Sequence, residues 1–288
     1  MIRTILAPIR GDGKGENVLA HAAILARRHG AHIEATHCRP RPDDLRPFGV
    51  PLPSLLRDQI VASAIELANA EEQKLRADFD AVVADLGIEV VTTAPRAPST
   101  TPSIMWIEET GKQIDVIKRH GRLADVIVVA KPDRDRNLGA NTLKTALFNT
   151  GRPVLMCPPR DSRPEALGDR VAVAWNGSLE CARAVGLAFE LLRAASEVTV
   201  VAIGPRDTHV ASADALAAYL EARGVAARTL ERPAAGGVGA ALSAAAQEMG
   251  FDLILMGAYS DSHERETILG GVTQSMVDNA VTPVIFVH

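Results

Sequence analysis

A chain of 288 residues, 47% of them hydrophobic, has the length and the apolar material for two ordinary domains, each with its own buried core. A formal net charge of -4 and an isoelectric point near 6.1 remove any electrostatic reason to expect nucleic acid or an anionic membrane as a partner. Aromatic residues make up only 3% while Ala, Val, Leu and Ile abound, which suits helices packed on parallel strands better than an all-β sandwich.

The chain opens MIRTILAPIRGDG, without the charged and apolar pattern of a secretory leader, and no later apolar run is long enough to span a bilayer. A cytoplasmic protein is expected. A β-rich run from Thr4 to Pro8 meets a Gly-containing turn, then apolar residues at helical spacing, then a second strand, as ILAPIRGD…VLAHAAILARRHGAHIEATHC. Pro40, Pro42, Pro47, Pro51 and Pro53 mark an insertion from about Arg39 to Leu56, and a helix is predicted from about Asp58 to Leu86. A second insertion carries Pro95, Pro98 and Pro102. Both read as surface excursions, with a lid or partner-docking role the less frequent alternative. Trp106, in MWIEETG, is assigned to packing of the inserted segment.

Asp125-VIVVA-Lys131 is a fourth strand, its unbroken apolar character that of a central parallel strand covered on both faces. A helix and a fifth strand, Pro153-VLMCP, complete the first half. Pro158-Pro159-Arg-Asp-Ser-Arg-Pro164 is a short, stiff, polar connector.

The same order then recurs. A first strand from Arg170 to Ala174 leads into VAVAWNGS…ARAVGLAFELLRAASEVTVVAI, and a helix is predicted from about Val210 to Arg223. Asp252-LILMG-Ala258 and Pro283-VIFVH stand as fourth and fifth strands. Two tandem α/β domains, residues 1–159 and 165–288, are therefore expected, each a doubly wound open parallel sheet.

In such sheets a ligand sits beyond the carboxyl ends of the strands, where the strand order switches. The second half is the richer there. Its fourth strand runs into Met256-Gly257-Ala-Tyr-Ser260, a polar loop, and Gly270-Gly271-Val272-Thr273 opening a helix. Glycines admit close approach of a ligand, and helix N-terminal amides favour phosphate.

These residues resemble the universal stress protein family, whose fold is shared with the adenine nucleotide α-hydrolases and whose nucleotide-binding members carry G-x2-G-x9-G-[S/T] between fourth strand and last helix. Gly257, Ser260, Gly270 and Gly271 occupy the four positions, so two glycines are kept, Ser260 replaces a glycine and Gly271 replaces a hydroxyl residue. The resemblance further implies that Ala174 lines the base, that Asn176 stands where an Asp is usual at the nucleoside end, that the main chain of Ile203 meets the adenine edge, and that amides of Gly270, Gly271 and Val272 cradle phosphates. ATP, with or without Mg2+, is the implied ligand, in the second domain alone. In the first half Ala130, Ala140 and Asn141 take the places of Gly257, Gly270 and Gly271, the loop is three residues shorter, and Arg10 stands where the Asp is expected. Its charged loop, with Arg134 and Arg136, reads as a solvated loop of a degenerate domain. Family association through fifth strands would be met within the chain as an intrachain pseudo-dimer, with a homodimer and protein partners left open.

Other signals lead nowhere. Gly11-Asp-Gly13-Lys-Gly15 misses the dinucleotide fingerprint, because Glu16 replaces its third glycine and no acid ends the second strand. Eight histidines show no HExxH spacing, and the three cysteines, Cys38, Cys157 and Cys181, form no CxxC and are expected as buried thiols. His263 and Arg265 are either γ-phosphate contacts or an exposed loop tip. Gly236-Gly237-Val-Gly239 is either a flexible helix start or a close approach to ribose. No residue is marked as a nucleophile or general base. The sequence thus points to an ATP-binding, non-catalytic stress-response protein; a scaffold with both sites decayed and a slow ATPase are its alternatives.

Overall fold

The computed structural model describes residues 1–39, 41, 54–159, 164–205, 207–259 and 271–288. Most of the first Pro-rich insertion, most of the connector, and the stretch from Ser260 to Gly270, with His263 and Arg265, lie outside the described residues. The first half runs β1 (Thr4–Ile9), α1 (Gly15–His29), β2 (His32–Arg39), α2 (Ser54–Leu86), β3 (Glu89–Val90), β4 (Ser103–Thr110), α3 (Gln113–Gly121), β5 (Val126–Ala130), α4 (Ala140–Thr150) and β6 (Val154–Cys157). The second runs β7 (Arg170–Ala174), α5 (Leu179–Leu187), α6 (Phe189–Ala194), β8 (Glu197–Ile203), α7 (Ala213–Glu221), β9 (Ala227–Arg232), α8 (Val238–Met249), β10 (Leu253–Gly257), α9 (Gly271–Asn279) and β11 (Val284–Val287).

All strands join one 11-stranded sheet in the order β3-β4-β2-β1-β5-β6-β11-β10-β7-β8-β9. Apart from the two-residue edge strand β3, the order β4-β2-β1-β5-β6 has its counterpart in β9-β8-β7-β10-β11. Neighbours are parallel except at the seam, where β6 and β11 pair antiparallel with Val284 opposite Met156, Ile285 opposite Leu155 and Phe286 opposite Val154. These six side chains are wholly buried. The two open sheets read from the sequence are thus fused edge to edge, which removes one exposed edge from each.

The acid before each fourth strand has the same task in both halves. Asp125 accepts the backbone N–H groups of Arg3 at 2.6 Å and Thr4 at 3.0 Å. Asp252 accepts those of Gly168, Asp169 and Arg170 at 2.7, 3.0 and 3.2 Å. Each carboxylate therefore pins the entry of its half's first strand beside the fourth. The two halves differ most in the helix after the second strand. α2 has 33 residues, four more at its start than the sequence indicated, whereas α7 has nine and is capped by Ser212, which accepts the Ala215 N–H. Trp106, in β4, lies 4.8 Å from the Phe79 ring of α2 and stacks on His37 of β2, so its contacts hold α2 to the sheet.

His120 of α3 is held between two strand carboxylates, its Nδ1 3.0 Å from Glu34 and its Nε2 2.8 Å from Glu109. The hydrogen bond with Glu34, reinforced by Glu109, outweighs burial and raises the imidazole pKa. A cationic histidine is therefore favoured in the folded chain. Its contribution is complete below the ordinary value near 6.5 and is lost as pH climbs through the raised one. His120→Gln should cost on the order of 1 kcal/mol more in acid than in mild alkali, read as the Tm difference from wild type at each pH. An equal difference at both would refute the assignment.

Candidate functional site

The chain leaves β7 for β8 on one side and arrives at β10 on the other, so the strand order switches between β7 and β10. A cleft of about 210 Å³ opens at their carboxyl ends. Eight of the ten residues singled out from the sequence line it. Ala174 and Asn176 come from β7 and the turn after it, Ile203 from the end of β8, Met256 and Gly257 from β10, and Gly271, Val272 and Thr273 from the first turn of α9. Ser260 and Gly270 lie outside the described residues.

Local chemistry explains the turn after β7. The Asn176 side-chain carbonyl accepts the Ser178 N–H at 3.0 Å, and Ser178 Oγ accepts the Cys181 N–H at 3.3 Å, capping α5. This engages the oxygen of Asn176, so the free hydrogen-bonding group that it keeps is an NH₂ donor, where a carboxylate would offer only acceptors. At α9, Thr273 Oγ1 accepts the Tyr259 N–H at 3.4 Å, and Thr273 is buried. A side chain at Gly271 would meet none of the described residues within 4 Å.

Gly257 has another cause than the one read from the sequence. A Cβ there would lie 2.6 Å from the Cys181 nitrogen and 2.7 Å from the Glu180 carbonyl carbon. The glycine makes room for the first turn of α5. Similarly, a Cβ on Gly239 would meet Ser275 at 2.6 Å, so that residue permits close packing of α8 on α9, while positive φ of 71° and 98° accounts for Gly236 and Gly237.

Several walls escaped sequence reasoning. Trp175 adjoins Asn176 and donates its indole N–H to the Ala211 carbonyl at 2.7 Å. Val201, Val238 and Leu242 supply apolar surface, the last two from successive turns of α8. Cys181 is buried as expected, yet it also lines the cleft. Cys157 is buried, and Cys38 is only half-buried. Tyr259 closes one side, in the left-handed region at φ 62°, with burial pushing its phenol pKa up. No Asp, Glu, Lys or Arg occurs among the described lining residues.

The first half fills the corresponding place with its own side chains. Arg10 pairs with Asp12, its Nη1 lies 3.4 Å from Thr142 Oγ1, and its guanidinium crowds the Cβ position of Gly139, the residue before α4. Lys14 donates to the Lys131 carbonyl at 3.1 Å and lies 3.5 Å from Asp133. The loop before α4 is not simply solvated, as the sequence suggested, because its charges reach the other half. Arg134 pairs with Asp278 at 2.6 Å, and Lys131 Nζ donates to the Ala280 carbonyl at 3.1 Å. Burial lowers the Lys131 pKa, although Asp278 acts against this.

Among known families, the electron transfer flavoprotein domain matches residues 176–275, just over a third of the chain. No curated protein matches in sequence. In fold, a universal stress protein from Archaeoglobus fulgidus DSM 4304 superposes with a TM-score of 0.70 at 16% identity, covering 99% of this chain and 97% of that one. A protein of Pseudomonas aeruginosa UCBPP-PA14, described as a universal stress protein, gives 0.51 at 16% identity over 99% and 93% of the two chains. At such identity the shared property is the fold, an α/β sheet with helices on both faces. Among the described residues no helix is long and apolar enough to cross a membrane.

Proposed function

We propose that this chain, built on the fold of universal stress proteins, is a stress-response protein that binds one adenine nucleotide in its second domain and acts as a non-catalytic regulator. The carrying observation is the convergence of Ala174, Asn176, Ile203, Met256, Gly271, Val272 and Thr273 on one cleft at the switch in strand order, with the start of α9 facing it. At about 210 Å³ the cleft is smaller than the about 300–1,000 Å³ that encloses a whole drug-sized ligand. It suits base and ribose, with the phosphates toward α9. Val201, Ile203, Leu242 and Met256 offer apolar surface to a purine, and Asn176 offers its NH₂ to the nucleoside end. The amides of Gly271 and Val272 would hold phosphate through the helix N-terminus.

ATP, with or without Mg2+, is the ligand proposed, and the chain's two halves are proposed as tandem domains of which only the second binds. Arg10 and its partners support that asymmetry, since they fill the first half's equivalent place. Binding without fast turnover is the reading proposed, since the sequence marks no residue as a nucleophile or general base. The uncharged lining of the cleft among the described residues favours a second reading, a scaffold that uses neither site.

Calorimetric titration and native mass spectrometry decide between the two. One ATP per chain is expected, and no binding at millimolar ATP would sink the proposal. Gly271→Val should weaken binding at least about tenfold by filling the space before the amides, while changing stability by no more than about 0.5 kcal/mol. An ATP hydrolysis rate in wild type no higher than in that variant would exclude a slow ATPase.

A further inference from the structure

We propose that Lys131 and Phe148 of the first half are positioning residues for the cleft of the second, acting through α9 and Tyr259. The proposal gives the first half a task in the site and rests on the cleft's assignment as the nucleotide site only for its effect on affinity.

α9 is a rod of nine residues, about 14 Å long, and its two ends have different attachments. Its first turn, at Gly271, Val272 and Thr273, is a wall of the cleft. Its last turn is held by the first half. Lys131 Nζ reaches the Ala280 carbonyl at 3.1 Å, where a helix leaves its carbonyls without helical partners and its dipole favours a cation. Beside it Arg134 pairs with Asp278 at 2.6 Å. Because a helix moves as a unit, loss of this clamp at one end shifts the wall at the other.

The second support passes through Tyr259. A non-glycine residue at φ 62° is held there against a cost of about 1–3 kcal/mol, so its surroundings must impose the geometry. The Tyr259 ring lies 4.7 Å from Phe148 of α4 and 6.1 Å from His288, and Phe148 lies 5.0 Å from His288. Its N–H, in turn, is bonded to Thr273 Oγ1 in the first turn of α9. One aromatic ring from the first half thus backs a residue that both lines the cleft and ties down the helix start. Neither Lys131 nor Phe148 is among the residues lining the cleft.

The test is made on the full chain, with and without ATP. Lys131→Met and Phe148→Ala should each lower ATP affinity about five- to tenfold, and Lys131→Arg and Phe148→Tyr should restore it to within about twofold. Without ligand, amide hydrogen exchange at Tyr259 and in the first turn of α9 should quicken in the first pair of variants and return in the second. Asp125→Asn, which weakens the first half at a site remote from α9, should leave both readouts alone. If wild type binds no ATP, the nucleotide assignment fails while the exchange measurement still decides the positioning. Unchanged exchange in Lys131→Met and Phe148→Ala, or equal loosening in Asp125→Asn, would overturn the inference.

Discussion

Replacing Gly257 by valine is expected to destabilise the chain by about 3 kcal/mol, the upper part of the usual range for overpacking, and to lower Tm by on the order of 6–10 °C. The added Cβ would stand 2.6–2.8 Å from atoms of Glu180 and Cys181, two of which belong to the backbone of α5. Backbone cannot rotate out of the way as a side chain does, so either β10 or α5 must move. Both elements carry cleft residues, and ATP affinity should fall together with stability. Thermal or urea unfolding reads the first effect and titration the second. Retained Tm with lost affinity would instead mean that the glycine serves the ligand and that the steric account is wrong.

The second large effect is expected at the opposite end of the same strand. Asp252→Ala removes the acceptor of three backbone N–H groups and should cost about 2–4 kcal/mol, since bonds to a charged acceptor are each worth roughly 1.5–3 kcal/mol before water compensates the exposed amides. Burial raises the pKa of this carboxyl, against the pull of the three amides. Asp252→Asn, which keeps one carbonyl acceptor, should lose less than the alanine variant. Urea unfolding of the pair checks the order, and equal stability of Asp252→Ala and wild type would show that the acid does not hold the strand entry. The cleft is at the far ends of the strands, so ATP affinity should change little in either variant while the chain remains folded.

Much of this architecture was legible because its signals are local. The unbroken apolar runs after Asp125 and Asp252 have the character of central strands, and the recurrence of strand, glycine turn and helix pointed to a second unit. Position in that pattern also located the cleft, because ligands in open parallel sheets gather where strand order switches. Gly271, Val272 and Thr273 stand where a glycine run opens the last helix, whereas Ala174, Asn176 and Ile203 were singled out by the resemblance to universal stress proteins. Trp175 could have been added by the same reasoning, as the neighbour of Asn176.

Other features carry no local signature. Gly257 looks the same in sequence whether it clears a path for phosphate or for α5, and only the 2.6 Å approach of the Cys181 nitrogen decides. Val238 and Leu242 have helical spacing that marks an apolar face without saying what it covers. The charged loop of the first half read as solvated because its partners, Asp278 and Ala280, are more than 140 residues away. Arg10 is visible as a cation in place of an acid, but its filling of the space beside Gly139 is not.

By itself, then, the sequence determined the class of fold and the succession of strands and helices along the chain, and it marked the end of the sheet at which to look for a ligand, since hydrophobic periodicity and turn chemistry act over a few residues. Tertiary structure alone decided the antiparallel seam of β6 and β11, the cause of Gly257, and the grip of Lys131 and Phe148 on the second half. Those depend on contacts between segments far apart in the chain, where steric fit and desolvated charge are settled by packing and leave no periodic mark.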